Sequence, residues 1–455
     1  MKGCDYMKIT ADFNKVTGRI KPMHGVGQPP SISWHSMYKY LKYAGIPYSR
    51  LHDVGGAMGQ GLYVDIPNLF PNFDADENNP ENYEFAYTDR LLSLLHDNGV
   101  EPFFRLGVTI ENHHMLRPFR IFPPKDCGKW ARICEHIIRH YNEGWANGYK
   151  YGITYWEIWN EPDDCYTVET SEMWRGTPEQ YFELYDITAK HLKSVFGDKI
   201  KVGGYASCGA YAHRDDPDGT LFAGGKKAEN IRQFYLEFMH GFFKYIKAHS
   251  SPLDFFSWHV YAKPNLASLS EVLCHADYIR KIMNMYGYND VPDILNEWNC
   301  APSVEDRPTA RAAAASLSFM LGMQKRSPSV LCYYDARLGA SVYGGMFNPD
   351  THTPYKNYYS FLSFNSLYRL ENEIETSSDD ENLFVGGAAK DGKKVLLFAN
   401  MSDKPQTVEF DVKGAELSEA EIVITDSEYM HTLVGARVEN NKLEVKPYAT
   451  VEMRM

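Results

Sequence analysis

Between about residue 20 and residue 335, short apolar runs alternate with longer amphipathic stretches, and this alternation constrains the fold more than any other feature. The runs read as strands at Lys21–Gly25, Tyr48–His52, Glu101–Leu106, Thr154–Asn160, Lys201–Gly204, Asp254–Val260, Pro292–Glu297 and Val330–Tyr334. The stretches between them read as helices. In "KWARICEHIIRHY", Trp130, Ile133, Cys134, Ile137, Ile138 and Tyr141 recur at the helical period and share one face. "TPEQYFELYDITAKHLKSVFG" opens with Thr177 as N-cap, Pro178 in the first turn and Gln180 as capping-box partner, and closes at Gly197. "LLSLLHDNG" ends the same way on Gly99, and the alanine-rich "PTARAAAASLSFMLGMQ" is helical throughout. Strands separated by helices pair in parallel. Eight such units predict an α/β fold closed as a (β/α)8 barrel over residues 18–368. The competing doubly wound sheet is disfavoured, since no G-x-G-x-x-G follows the first strand.

After about residue 370 the texture changes. "SSDDEN" is a polar break, and "LFVGGAAKDGKKVLLFAN", "QTVEFDV", "EIVIT" and "NKLEVKPYATVEMRM" alternate at the strand period with turns such as Asp391-Gly392. Residues 369–455 are expected to form a smaller antiparallel β-sandwich, and residues 5–17, which alternate as well, could add a strand to it.

Bulk properties exclude several classes of function. The chain of 455 residues has a net charge of −12 and no basic stripe, which argues against nucleic acid and anionic membrane as partners. No apolar run approaches the ~20 residues of a membrane span, and "MKGCDYMKIT" lacks the apolar core of a signal peptide, so a cytoplasmic location is expected. The eight cysteines are scattered without a C-x-x-C pair, which argues for free thiols in a reducing compartment rather than a zinc site or disulfide framework.

In such a barrel the chemistry sits at the carboxyl ends of the strands. There the second strand places Arg50, His52 and Asp53, and the third Arg105 and then Asn112, His113 and His114. The fourth places Asn160 and Glu161, the sixth His259 and Tyr261, the seventh Asn296, Glu297 and Asn299, and the eighth Asp335 and Arg337. Glu161 and Glu297 end strands that lie three apart in the ring, where two carboxyl groups can flank a small ligand. Cleavage of a glycosidic bond needs such a pair, one to protonate the leaving oxygen and one on the other face of the sugar. Glu297, near Arg50, His259 and Tyr261, is expected to stay ionised as a nucleophile. Glu161, among Trp156, Trp159 and Pro162, is expected to be desolvated into an acid, and Asn160 to donate to the sugar 2-hydroxyl. Glu157, deeper in the strand, reads as a structural partner of Arg50 or Arg105. Neighbouring His113 and His114 point opposite ways on an extended segment and do not suggest a joint metal site. Asp163-Asp164 could bind a cation, but reads first as a solvated loop.

The motifs "WEIWNEPD" (Trp156–Asp163) and "ILNEWN" (Ile294–Asn299) resemble those of the clan A glycoside hydrolases. With "KPMHGVGQPP", "YSRLHD", "NFDADENNPENYEFAYTD" and "DFFSWHVYA", the chain resembles glycoside hydrolase family 39, the β-xylosidase and α-L-iduronidase family, over the whole barrel. The resemblance implies a retaining hydrolase acting on an oligosaccharide or glycoside, with Glu161 as acid/base, Glu297 as nucleophile and Asn160 on the 2-hydroxyl. It implies substrate contacts from Arg50, His52, His259 and Tyr261, with His114 and Trp298 beside them, and no metal or organic cofactor. It allows a monomer or a homo-oligomer. Asn296 stands where such enzymes often carry Thr or Ser, and Cys300-Ala301-Pro302-Ser303 lacks the usual aromatic. "YYDARLGASVYGGMFN" lacks the tryptophan expected for xylose, which makes Asp335 and Arg337 candidate specificity residues. These departures leave α-L-arabinofuranosides, or a modified sugar, open beside β-xylosides. The rival readings are a non-catalytic carbohydrate-binding barrel, a metal-dependent barrel enzyme, for which no H-x-H cluster is found, and a transglycosidase using the same residues.

Overall fold

The computed structural model describes residues 6–54, 63–110, 120–301, 303–336 and 345–455. Eight parallel strands close into a barrel in chain order: β2 (Gly25–Gly27), β3 (Tyr48–Leu51), β4 (Glu101–Leu106), β5 (Tyr155–Ile158), β6 (Lys201–Ser207), β7 (Phe255–Tyr261), β8 (Asp293–Asn299) and β9 (Leu331–Tyr333). The helices outside this ring are α1 (Tyr38–Tyr43), α2 (Ile66–Leu69), α3 (Ala86–Asp97), α4 (Cys127–Asn142), α5 (Pro178–Phe196), α6 (Ile231–His249), α7 (Leu266–Met285), α8 (Ala310–Gln324) and α9 (Lys356–Tyr368). The capping box at Thr177 and Gln180 forms as the sequence predicts. The apolar stripe of α4 is buried from Trp130 to Tyr141.

The first strand differs from the sequence expectation. It begins at Gly25, where Lys21–Gly25 is expected to form it. Lys21 lies ahead of it, its ammonium donating to the carbonyls of Met323, Arg326 and Pro328. The strand itself is Gly-Val-Gly because the barrel is tight there: a Cβ on Gly25 would lie 2.5 Å from the Leu331 carbonyl oxygen. A strand with one side chain, Val26, between two glycines leaves no apolar alternation to read.

Along each strand, alternate residues face the barrel interior. In β5, Tyr155 and Glu157 face inward while Trp156 and Ile158 pack on the helical layer. The lower interior is an apolar plug of Phe103, Phe255, Ile294, Val330 and Cys332, with Tyr155 stacked on Phe103 at 5.0 Å. Above the plug the interior becomes charged, beginning with Arg50 and Glu157. Plug and charge gradient together leave one end of the barrel available for chemistry.

The remaining strands are β1 (Met7–Arg19), β10 (Asn372–Ser378), β11 (Leu383–Lys390), β12 (Lys393–Asn400), β13 (Gln406–Lys413), β14 (Glu421–Thr425), β15 (Thr432–Val434), β16 (Lys442–Val445) and β17 (Thr450–Arg454). They form one nine-stranded sheet in the order β15-β14-β17-β12-β11-β10-β1-β13-β16. Residues from distant strands, such as Phe410 of β13 and Ile422 of β14, share one core, so the sheet curls around its own apolar face. Met7, Ile9, Ala11 and Phe13 of β1 enter that core, with β1 parallel to β13 and antiparallel to β10. The outer face of the sheet packs on α8 and α9. The small side chains of α8 permit this approach, and Gly386 gives room to Leu321. Seven cysteines among the described residues are free thiols. No helix among the described residues is long and apolar enough to cross a membrane.

Candidate active site

The backbone does much of the work of presenting the two carboxylates. β5 stops at Ile158, and the Trp159 N–H still reaches the Leu106 carbonyl at 2.8 Å. Trp159 (φ 73°) and Glu161 (φ 43°) then adopt the left-handed conformation, which is strained for residues with a Cβ. The strain is held by the Trp159 indole donating to the Met173 carbonyl at 2.8 Å and the Glu161 N–H donating to Tyr205 at 3.2 Å. In β8 a bulge does the corresponding task. Leu295 pairs with Trp258 and Glu297 with His259, so Asn296 is the extra residue. A bulge re-aims side chains: Asn296 and Glu297 both reach interior groups, and Trp298 faces outward.

Arg50 is the hub. It is 1% exposed and binds Glu157 Oε2 through Nε at 2.8 Å and Nη2 at 2.7 Å, Glu297 Oε2 through Nη1 at 3.0 Å, and Asn160 Oδ1 through Nη2 at 2.6 Å. Asn296 Nδ2 donates to the other oxygen of Glu157 at 2.6 Å. The Tyr261 hydroxyl donates to Glu297 Oε1 in a short contact. His259 Nδ1 lies 2.6 Å from Glu161 Oε1 and 3.7 Å from Glu297 Oε2. Donor atoms of Glu161, His259 and Glu297 all lie within 4.8 Å of one another. Within this cluster His259 hydrogen-bonds Glu161, so we read it as proton-sharing.

Burial pushes the Glu161 carboxyl up to about 7, against the pull of Arg50 and a hydrogen bond from Cys208. Burial also pushes Glu297 up to about 7, with Glu161 adding to the rise and Arg50 and Tyr261 opposing it. Two carboxyls this close release their protons as a pair. The first charge belongs on Glu297, because Arg50 and Tyr261 both donate directly to it. Glu161 has the more accessible side chain, 16% against 8% for Glu297. Burial drives His259 down to about 4, so its imidazole is neutral and can meet Glu161 as donor or acceptor.

Of the residues singled out in the sequence, Arg50, Asn160, Glu161, His259, Tyr261 and Glu297 converge here. Asn160 Nδ2 remains a buried donor without a protein partner. His52 stands beside them, its Nε2 3.1 Å from Asp53 Oδ1. Asp335 is fully buried after β9, next to Tyr334, whose hydroxyl reaches Asp53 at 3.1 Å. His114 and Arg337 lie outside the described residues.

Three expectations are corrected. Trp298 is not a substrate contact: the bulge turns it outward, where it stacks on Phe319 at 4.2 Å beneath α8. Trp156 and Trp159 also face the helical layer, Trp159 packing on Trp130 of α4, and do not enclose the Glu161 carboxyl as expected. Asp163 is not a solvated loop residue. It is fully buried, accepting from the Ser207 hydroxyl at 3.0 Å and the Cys208 N–H at 3.1 Å.

Sequence reasoning missed Gln28. It follows β2 in the left-handed conformation (φ 39°), and both atoms of its buried amide lack a protein partner. A polar residue closing a Gly-Val-Gly strand was the available signal. Tyr211 was missed as well; its hydroxyl takes the Tyr261 N–H at 3.0 Å and fixes that end of β7.

A β-xylosidase of Geobacillus stearothermophilus is 28% identical over 163 residues, 33% of this chain and 30% of that relative. A β-xylosidase of Caldicellulosiruptor saccharolyticus is 27% identical over 220 residues, 44% of this chain and 40% of that relative. The matched parts therefore span well under half the length of these relatives. In overall fold the chain is similar to a glucosidase from Croceicoccus marinus, with a TM-score of 0.75 and 18% identity over 99% of this chain and 98% of that one. The family profile of the glycosyl hydrolases family 39 matches residues 51–335, from the second barrel strand to the end of the eighth. With a match over more than half its length, the chain belongs to glycosyl hydrolases family 39.

Proposed function

We propose that the protein is a retaining glycoside hydrolase that removes terminal sugars from plant-type oligosaccharides, with β-xylosides as the first substrate class. The observation that carries this reading is the approach of the two carboxyls, whose nearest oxygens lie within 4.8 Å. A retaining mechanism uses carboxyls about 5–5.5 Å apart, whereas an inverting one needs about 6.5–9.5 Å to admit a water. The β-xylosidase relatives support the choice of sugar.

In the first step a Glu297 carboxylate oxygen attacks the anomeric carbon. The glycosidic C–O bond breaks, and the Glu161 proton passes to the leaving oxygen. In the second step Glu161, now a carboxylate, takes a proton from water. The water oxygen bonds the anomeric carbon, and Glu297 leaves as a carboxylate. His259 Nδ1 hydrogen-bonds Glu161 and holds its carboxyl in place through both steps. Asn160 offers its remaining amide hydrogens to the sugar 2-hydroxyl, a contact that tightens as positive charge develops on the ring.

The test is a panel of aryl glycosides: β-xyloside, α-L-arabinofuranoside, β-glucoside, β-galactoside and α-iduronide. Glu161→Gln and Glu297→Gln run alongside, and NMR reads the anomer first released. Turnover of one member with retention, abolished in Glu297→Gln, is expected. Wild-type turnover in Glu297→Gln, or release of the inverted anomer, would sink the reading.

A further inference from the structure

The segment after Glu161 carries a second carboxylate back to the first. Pro162 follows Glu161, and the Asp164 N–H donates to the Glu161 carbonyl at 3.1 Å, closing a tight turn. Asp163 locks this turn to the end of β6 through Ser207 and Cys208. Anchored in this way, Asp164 and the buried Cys208 converge on Glu161. One carboxylate oxygen each of Glu161 and Asp164 and the Cys208 sulfur all lie within 4.8 Å of one another. His259 holds Glu161 by Oε1 at 2.6 Å.

We propose that Asp164 and Cys208 are positioning residues that form a proton-sharing cluster with Glu161 and set the alkaline limit of activity independently of Glu297. The proposal rests on the acid/base role of Glu161 given above. Its physical basis is persistence. The charge of Glu297 also favours protonated Glu161, but that charge disappears when Glu297 is esterified to the sugar. Asp164 takes no part in the bond changes, so its effect remains through both steps. Two carboxyls in this proximity resist ionising together. Burial, with Glu161 and Glu172 as negative neighbours, pushes Asp164 up to about 7. The Cys208 thiol, driven well above its ordinary range by burial and these same carboxyls, stays protonated and donates to Glu161. Cys208 thus favours the charged form that Asp164 opposes. The other groups facing Glu161 are Arg50, which lowers its pKa, Asp53 and Glu157, which raise it, and Glu297 and Asp163, whose own carboxyls the charge of Glu161 pushes up. The hydroxyls of Tyr211, Tyr235 and Tyr261, all pushed up by burial, stay neutral around it.

The experiment is a carbon-13 NMR titration of glutamate carboxyls in Glu297→Gln, where the nucleophile contributes no charge. The Glu161 signal is assigned by its loss in Glu161→Gln. Adding Asp164→Asn is expected to lower the Glu161 midpoint by about one pH unit or more. Cys208→Ala is expected to raise it, and Cys208→Ser, which keeps a donor, to restore it. With wild-type Glu297, the alkaline limb of kcat/KM should move in the same directions. A Glu161 midpoint unmoved by Asp164→Asn, and by Asp164→Ser as a second replacement, would overturn the proposal. The titration needs no turnover. A shifted midpoint in a protein that cleaves no glycoside would therefore refute the hydrolase reading and leave the cluster standing.

Discussion

Replacing Arg50 by methionine tests the charge network most directly. Methionine fills much of the same space and leaves Glu157 and Glu297 enclosed without the cation that binds both. Breaking a buried pair in this way costs about 3–5 kcal/mol. Globular chains gain about 2.1 cal/mol/K per residue on unfolding, so 455 residues carry roughly 1 kcal/mol/K and Tm should fall by about 3–5 °C. The loss should depend on pH. Burial already holds native Glu297 at about 7, above its ordinary 4.5, and Arg50 is among the groups restraining that rise. Without Arg50 it rises further. A carboxyl raised on folding binds more protons in the native state, so its cost is absent below the unfolded value and grows as pH climbs toward the folded one. Calorimetry should therefore show variant and wild type closer at about pH 5, where Glu297 is protonated in both, than at about pH 8, above the wild-type value, where the gap is opening. Adding Glu157→Gln should recover part of the difference by removing one stranded charge. An equal loss of Tm at both pH values would refute the argument and reduce Arg50 to a packing residue.

Asn160→Ala should lower kcat by about 100-fold on a substrate with a 2-hydroxyl and far less on its 2-deoxy analogue, read by steady-state kinetics on both. Trp298→Phe should cost about 1–3 kcal/mol in urea unfolding by thinning the stack on Phe319, with KM unchanged because the ring faces away from the cleft. Gly25→Val should collapse the soluble yield, since its Cβ would meet the Leu331 carbonyl at 2.5 Å. Gly27→Ala, whose Cβ would have its nearest contact at 3.6 Å, should be tolerated.

How much of this was legible depended on what each residue does to the local pattern. Glu161 and Glu297 stood out because an amide and a carboxylate interrupt apolar strands, and such an interruption survives in the sequence. Arg50 was legible as a partner of Glu157 because a buried strand carrying one charge requires the opposite charge nearby. The start of β2 was not legible, because its glycines exist to keep side chains out. Trp298 was misplaced for a different reason. Simple alternation does not reveal a bulge, and the extra residue at Asn296 reverses which neighbours face the cleft. Asp163 and Asp164 read as one acidic pair, yet the turn sends the first to β6 and the second to Glu161. Only a backbone hydrogen bond and two anchors on another strand distinguish them.

β1 has a consequence for biosynthesis. It precedes the barrel in the chain, but its partners in β10 and β13 follow the barrel. On the ribosome, a strand of 13 residues must wait with both edges bare until some 350 further residues have emerged. The curled sheet is therefore not an appendage that forms after the barrel and can be cut away. Its excision would leave β1 as an amphipathic ribbon open to pairing with other chains. Shortening this longest-range pairing calls for circular permutation, with residues 7–19 moved to follow the last strand, so that barrel and sheet each become contiguous and can fold in sequence.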